Sequence, residues 1–244
     1  MPYVDITIND PNPIKRWIQR RRFGDALAVI DSRSSVCTIA ILDFGGGDGE
    51  LLRQCLQSWP EVSATLYEPT SSLRQEAEQK LSQWPRVRIT GDLQTLPMAA
   101  FDVVYCLEVF EHLPDRATYE ALENIRRFLK PDGFAVIGVP HEIFAPALIK
   151  GLFRMVRRYG AFDAKPAHVA TAAIGSPPHN RPTQEIAPGF SYHHYHLGFD
   201  YRQLEKKIGL RFRIESRWFS PARILGPLLN SEVYYLLRPI PIQP

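Results

Sequence analysis

Cysteine is scarce in this chain: Cys37, Cys55 and Cys106 are scattered, and no two form a C-x-x-C pair. That excludes a disulfide framework and fits a reducing compartment. No stretch reaches the roughly 18 apolar residues of a membrane span, and the opening MPYVDITINDPNP lacks the basic region and apolar core of a secretory signal. The expected location is cytoplasmic. Charge of one sign is missing as well: 29 Lys and Arg face 26 Asp and Glu, and a net charge of +3 is too small to imply nucleic acid by itself. No internal repeat is visible. What is present, in 244 residues that are 45% apolar, is ample material for a buried α/β core.

The stretch that organises the chain is Ile39–Gly49, IAILDFGGGDG. Ile39, Ala40, Ile41 and Leu42 form a short run apolar on both faces, the pattern of a central parallel strand covered by helices. Gly45, Gly46, Gly47 and Gly49 then remove the Cβ atoms that would hold a ligand away from the backbone. From Glu50 to Trp59 the period becomes helical, with Leu51, Leu52, Cys55 and Leu56 on one side, so a ligand would sit over a helix N-terminus. A dinucleotide fingerprint requires G-x-G-x-x-G. Counted from Gly45, its third glycine would fall at Glu50, whereas the glycines stand at 45, 47 and 49. Asp43 also precedes the turn, where a carboxylate repels a pyrophosphate and attracts a cationic amine or sulfonium. Glu68, at the end of a second strand over Val62–Tyr67, occupies the place where an acid accepts hydrogen bonds from ribose hydroxyls.

Three segments carry a family resemblance. The pattern D-x-G-x-G-x-G over Asp43–Gly49 resembles motif I of the class I S-adenosylmethionine-dependent methyltransferases. FDVVYCLEVFEHLPD and LKPDGFAVIGVP resemble the later motifs of their small-molecule branch, including the quinone-biosynthesis enzymes. The likeness runs from about Ile39 to Pro140. It implies an α/β fold: a Rossmann-like, seven-stranded, mostly parallel sheet with an antiparallel last strand, helices on both faces, and a helical or loop insertion after the fifth strand. It also implies S-adenosylmethionine as cofactor. Asp43 would hold the amino end, Gly45, Gly47 and Gly49 the close backbone approach, Glu68 with Pro69 the ribose, and Asp92 with Leu93 the adenine, while Leu107 and Glu108 line the pocket. A Gly91-Asp92 turn without a ligand is the alternative there.

Outside those segments the reading rests on pattern alone. Residues 1–38 are expected to form a helical cap, with basic Lys15, Arg16 and Arg20–Arg22 among Ile14, Trp17 and Ile18. The domain proper spans 39–244, with 141–198 as a lid over the substrate. Within it, 143–159 places Leu148, Ile149, Leu152, Phe153 and Val156 on one helical face and Lys150, Arg154, Arg157 and Arg158 mostly on the other. Such a helix either lays its apolar face on the sheet with the basic side in water or meets an anionic membrane surface. Residues 160–190 read as an insertion rich in Ala, Pro and polar residues. For an oxygen or nitrogen acceptor a base near the methyl helps, and the candidates are His112, His193, His194 and His196. No metal is expected, because the histidines match no zinc spacing and no acid stands beside 193–196 in sequence.

The function implied is methyl transfer to a small-molecule, lipid-linked or saccharide acceptor. Two other classes share parts of the pattern: a noncatalytic S-adenosylmethionine-binding protein that uses the basic insertion for a partner, and a nicotinamide-dependent oxidoreductase, which the glycine spacing and Asp43 disfavour. No nucleic-acid partner is expected, since the basic residues are not interleaved with an aromatic stacking platform.

Overall fold

Each strand of the sheet sends alternate side chains to opposite faces, and here both faces are apolar. The computed structural model describes residues 23–30, 39–187 and 189–241. In β1 (Ala40–Phe44), Ile41 joins one buried cluster while Leu42 and Phe44 join the other. The same alternation runs through β4 (Phe101–Leu107), β5 (Leu129–Pro140) and β9 (Glu232–Pro239): Val103, Tyr105, Val136 and Tyr234 face one layer, Val104, Cys106, Ile137 and Tyr235 the other. A sheet buried on both sides needs helices on both sides. One layer holds α1 (23–30), α2 (Glu50–Ser58) and α3 (Ser71–Leu81). The other holds α4 (Asp115–Phe128) and α7 (Tyr201–Ile208).

With β2 (Ser63–Tyr67), β3 (Arg88–Thr90) and β8 (Phe212–Ser220), the seven-stranded sheet has the order β3-β2-β1-β4-β5-β9-β8. The first five strands are parallel, and β9 is antiparallel to both β5 and β8, as the resemblance implied. The order reverses direction at β1, whose neighbours are β2 and β4. The carboxyl ends of those strands therefore open a crevice, the place where ligands gather in such sheets.

Three local expectations change. The strand expected from Phe134 begins at Leu129, which already pairs with Phe101; the ladder resumes at Val103 and Phe134 after an irregularity that absorbs the KPDG turn. The stretch 160–190 is more regular than its composition suggested. It contains α6 (Pro166–Ala173), started by a proline at its first position, and β6 (Thr183–Ala187), which pairs antiparallel with β7 (Phe190–His193) in a separate hairpin. Of the expected N-terminal cap only residues 23–30 are described; Lys15–Arg22 lie outside the described residues, as does Cys37.

The third change concerns α5 (Phe144–Arg158). Of the two arrangements open for its apolar side, packing on the sheet with the basic side in water is the one the structure reverses. Lys150 and Arg154 turn inward to the fully buried Glu142 at 2.9 and 2.8 Å, and Arg158 reaches buried Asp163 at 2.5 Å. Leu152, Phe153 and Val156 face outward, the last two 72% and 88% exposed. The helix instead packs through its small residues: Ala147 meets Val169, Ala172 and Leu197, and a Cβ on Gly151 would lie 2.4 Å from Val169 Cγ1.

Burial disfavours a charged Glu142, but Lys150 and Arg154 outweigh it and hold the carboxyl well below the usual range. Substituting Glu142→Gln strands those two cations, and should lower unfolding free energy by about 3 kcal/mol. Urea denaturation at neutral pH measures this; a loss under about 1 kcal/mol would mean that the cations relax to solvent.

Candidate active site

At the carboxyl end of β1 the chain must turn sharply, and Gly45 and Gly46 do so by donating their amides to Tyr67 O at 2.8 and 3.1 Å. Gly45, Gly47 and Gly49 have φ of 77°, 55° and 78°, a region costly for side chains bearing Cβ. The four glycines nevertheless do different work. A Cβ on Gly45 would strike Val109, one on Gly46 the Asp43 carboxylate, and one on Gly49 Leu81 of α3. Only at Gly47 is the space beyond the Cα open. Gly47 is thus the point of close approach, and Gly49, which does not border the cavity, permits α2 to pack against α3.

The cavity over this turn has a volume of about 1000 Å³. Asp43, Gly45–Gly47, Glu68, Pro69, Leu93, Leu107 and Glu108 all border it, as the sequence implied. Glu68 is held by two main-chain donors, Gly47 N at 3.1 Å and Thr70 N at 2.8 Å, one on each carboxylate oxygen. This ties the glycine turn to the start of α3. Each oxygen keeps a lone pair for a further donor. Arg74 reinforces the corner, donating to the carbonyls of Glu68 and Pro69 at 2.7 and 2.8 Å. Asp92 behaves otherwise: it does not border the cavity, and Oδ1 accepts from Gln94 N at 2.9 Å, capping the short turn Leu93–Thr95.

Asp43 is buried, and its Oδ2 has no hydrogen-bond partner among the described residues. Burial, then the charges of Glu68 and Asp48, push its pKa up to about 8. A carboxylate desolvated beside two others is a site for a cation. Asp48 was not singled out from sequence, although it lies inside the motif; it borders the cavity and pairs with Lys80 at 2.5 Å. The residues thus fit S-adenosylmethionine, with an acid for an ammonium, open backbone at Gly47, and Glu68 for a diol.

The opposite wall is formed by the segment after β4 and by the β6–β7 hairpin. Glu108 adopts φ 58°, rare for a residue with a side chain. Of the four candidate histidines only His112 borders the cavity. Its Nδ1 lies 2.7 Å from the His193 carbonyl, and its ring stacks on Tyr192 at 4.1 Å. His193 contributes that carbonyl, while its own Nδ1 lies 3.2 Å from Pro182 O. His196 lies edge-on to His112 with centroids 4.7 Å apart, and His194 is exposed, its ring beside Tyr195 away from the cavity. Burial drives the pKa of His112 down to about 4 and that of His196 to about 3, so both are neutral at pH 7 and weak bases. Burial, with Arg181, also lowers His193. Phe190, Ser191 and Tyr192, which the sequence reading places within the 141–198 lid without naming a contact for each, roof the cavity. Their proximity depends on a hairpin that no local motif announces. Glu111, distant in sequence from His196, comes close to it: one donor atom each from Glu111, His112 and His196 lie within 4.8 Å of one another.

Comparison with known proteins agrees with this geometry. Residues 42–135 match the family model described as "Methyltransferase domain". A malonyl-[acyl-carrier protein] O-methyltransferase of Halalkalibacterium halodurans is 36% identical over 100 residues, covering 38% of this chain and 36% of that protein's length. Two solved structures share the fold. Magnesium protoporphyrin IX methyltransferase from Synechocystis PCC 6803, with bound S-adenosylhomocysteine, has a TM-score of 0.58 at 17% identity, covering 96% of this chain and 91% of that one. The N-methyltransferase NodS from Bradyrhizobium japonicum WM9, also with S-adenosylhomocysteine, has a TM-score of 0.57 at 15% identity, covering 95% and 90%. The segment from β1 into β5 is thus similar to a methyltransferase domain, and the chain spans about a third of the length of the curated relative it matches.

Because folding raises the Asp43 pKa from 3.8 to about 8, the folded chain holds a proton that the unfolded chain releases, and stability falls as pH rises through that interval. Asp43→Asn removes the titration. The variant should therefore gain stability over the native protein as pH is raised from about 5 to about 9. Urea midpoints across that range test it, and a gap that does not change with pH would mean that Asp43 is not desolvated.

Proposed function

We propose that the protein is an S-adenosylmethionine-dependent methyltransferase acting on a lipid-linked small-molecule acceptor at an anionic membrane surface. The observation that carries the cofactor reading is the buried Asp43 with its unbonded Oδ2 at the glycine turn, one strand away from Glu68. The Asp43 carboxylate pairs with the cofactor's ammonium, Gly47 allows the chain to pass close to the backbone, and Glu68 accepts from the two ribose hydroxyls with the lone pairs that Gly47 and Thr70 leave unused. Leu93 forms an apolar wall for the adenine, with Asp92 beside it turned partly to its own cap.

When bound, the cofactor supplies a methyl group on a sulfonium, an electrophile whose departure leaves a neutral thioether. The protein then has to align the acceptor with that methyl and keep water out. Tyr192 and Phe190 of the hairpin, together with His112 and Val109, bound the space opposite the glycine turn, so the 141–198 segment acts as the lid. Among the four histidines His112 is the one that borders the reacting space, and its low basicity gives positioning more weight than proton abstraction.

The membrane reading rests on α5. Its outward face, Leu148, Leu152, Phe153 and Val156, adjoins the helix Gly226–Leu229 (α8), and the turn before α8 carries Ile224, which is fully exposed. Arg157 and Arg223 are exposed in the same two segments, whereas the acids nearest α5, Glu142 and Asp163, are buried and paired. An apolar face with Arg157 and Arg223 exposed beside it suits anionic lipid. No helix among the described residues is long and apolar enough to cross a membrane.

Calorimetric titration with S-adenosylmethionine, S-adenosylhomocysteine and NADH tests the cofactor. The first two should bind and the third should not, and Glu68→Ala should weaken binding about tenfold or more. Binding of NADH alone would overturn the reading in favour of an oxidoreductase. Phosphatidylglycerol vesicles should co-sediment the protein where phosphatidylcholine vesicles do not, and Phe153→Glu with Val156→Glu should abolish the difference. Equal sedimentation by both lipids, or self-association through this face in place of vesicle binding, would remove the membrane reading.

A further inference from the structure

The wall facing the glycine turn holds a second cluster that cofactor binding does not use. Glu111 is fully buried at the 3-10 turn Phe110–His112, and its Oε1 lies 3.7 Å from His112 Nε2. The His112 ring is fixed from its other side, because Nδ1 donates to the His193 carbonyl at 2.7 Å and leaves Nε2 with its lone pair toward Glu111. That is the way a histidine is oriented when its far nitrogen binds a cation. His196 completes the group, and Arg181 holds the two segments together by donating to the carbonyls of both Glu111 and Tyr195.

We propose that Glu111, His112 and His196 form a binding site for a divalent transition-metal cation in the wall of the cavity. One donor atom from each lies within 4.8 Å of the other two. A cation with bonds of about 2.1 Å holds three donors about 3.0 to 3.6 Å from one another, so the widest pair closes by about 1 to 2 Å around it. Two imidazoles and a carboxylate suit Zn²⁺, Mn²⁺, Fe²⁺ or Co²⁺, and they match neither the thiolate sets of soft ions nor the all-oxygen sets of Ca²⁺ and Mg²⁺. Three protein donors leave coordination positions open. Of the three ligands His112 borders the cavity, as does neighbouring Glu108, so the site adjoins the space assigned to the acceptor through His112. Glu108, with its strained φ of 58°, follows β4 directly and stands three residues before Glu111.

The function that follows rests on the methyltransferase reading. The cation would select an acceptor with an oxygen donor and, as a Lewis acid, lower the pKa of that hydroxyl so that its proton passes to solvent water; the oxygen then forms its bond to the methyl carbon as the carbon–sulfur bond breaks and the thioether leaves. The substrate class is thereby narrowed to a phenol, enol or vicinal hydroxyl rather than an amine. Glu111 and His112 lie in the motif segment after β4, while His196 follows the hairpin and is brought to them only by the fold.

Titration of the purified full chain with Co²⁺ and Mn²⁺ tests the site, with the visible Co²⁺ spectrum reporting the ligands and calorimetry the stoichiometry. One equivalent should bind, with a Co²⁺ spectrum of imidazole and carboxylate ligation, and Mg²⁺ should bind far more weakly. Glu111→Gln and His196→Ala should each weaken binding about tenfold or more while leaving S-adenosylmethionine affinity unchanged. If either variant fails to fold, the native protein decides: Mn²⁺ should raise its melting temperature and EDTA should reverse the rise. Absence of stoichiometric binding, undiminished binding by both folded variants, or melting insensitive to Mn²⁺ would overturn the site. Failure of S-adenosylmethionine to bind a metal-loaded chain would instead overturn the cofactor reading and leave the metal site standing.

Discussion

The constraint on which the rest of this molecule depends is a carboxylate deprived of water. Asp43 lies near the end of β1 in the middle of the sheet, where the strand order reverses, and among the described residues no donor meets its Oδ2. Two more acids, Glu68 and Asp48, raise the local negative potential. Glycine is required next to it because any side chain at Gly46 would collide with the carboxylate, and the same turn brings the Gly47 amide to Glu68. A chain that only needed to fold would have no use for this arrangement. It makes sense as a place prepared for a cation on a nucleoside.

A second buried acid has the opposite treatment. Glu142 lies just after β5 and receives Lys150 and Arg154, both from α5. That requirement sets the rotation of the helix. Once the cations must point inward, the apolar face at the same helical period must point outward, and the exposed Phe153 and Val156 follow from the position of one carboxylate. The outward face is thus a consequence of internal ion pairing, and it gives the protein a surface chemistry that its modest net charge conceals.

Much of the fold was legible in the chain. The apolar run at Ile39–Leu42, the period-2 alternation of Val103–Cys106 and the switch to helical spacing after Gly49 depend only on neighbours in sequence, so pattern reveals them. The cofactor half of the site was legible for the same reason, since Asp43, Gly47 and Glu68 are placed by strand ends and turns that local chemistry dictates. Two residues in that half also do structural work. Gly49 and Asp92 carry the right residue types at the right spacing, yet Gly49 is occupied with packing against Leu81 and Asp92 with capping Gln94.

The opposite wall was not legible, because it is assembled from segments whose meeting is decided by long-range packing. Four histidines looked alike as bases; the hairpin register put Tyr192 over His112, used the His193 carbonyl as an anchor, left His194 in water and brought His196 beside Glu111. The sequence by itself determined the sheet, the crevice and the carboxyl group placed in it, since those follow from periodicity and from residues close along the chain. Only the tertiary structure decided which face of α5 meets solvent and which acids and histidines share a site. Those depend on which buried charges must find partners across the fold, and a one-dimensional pattern does not contain that pairing.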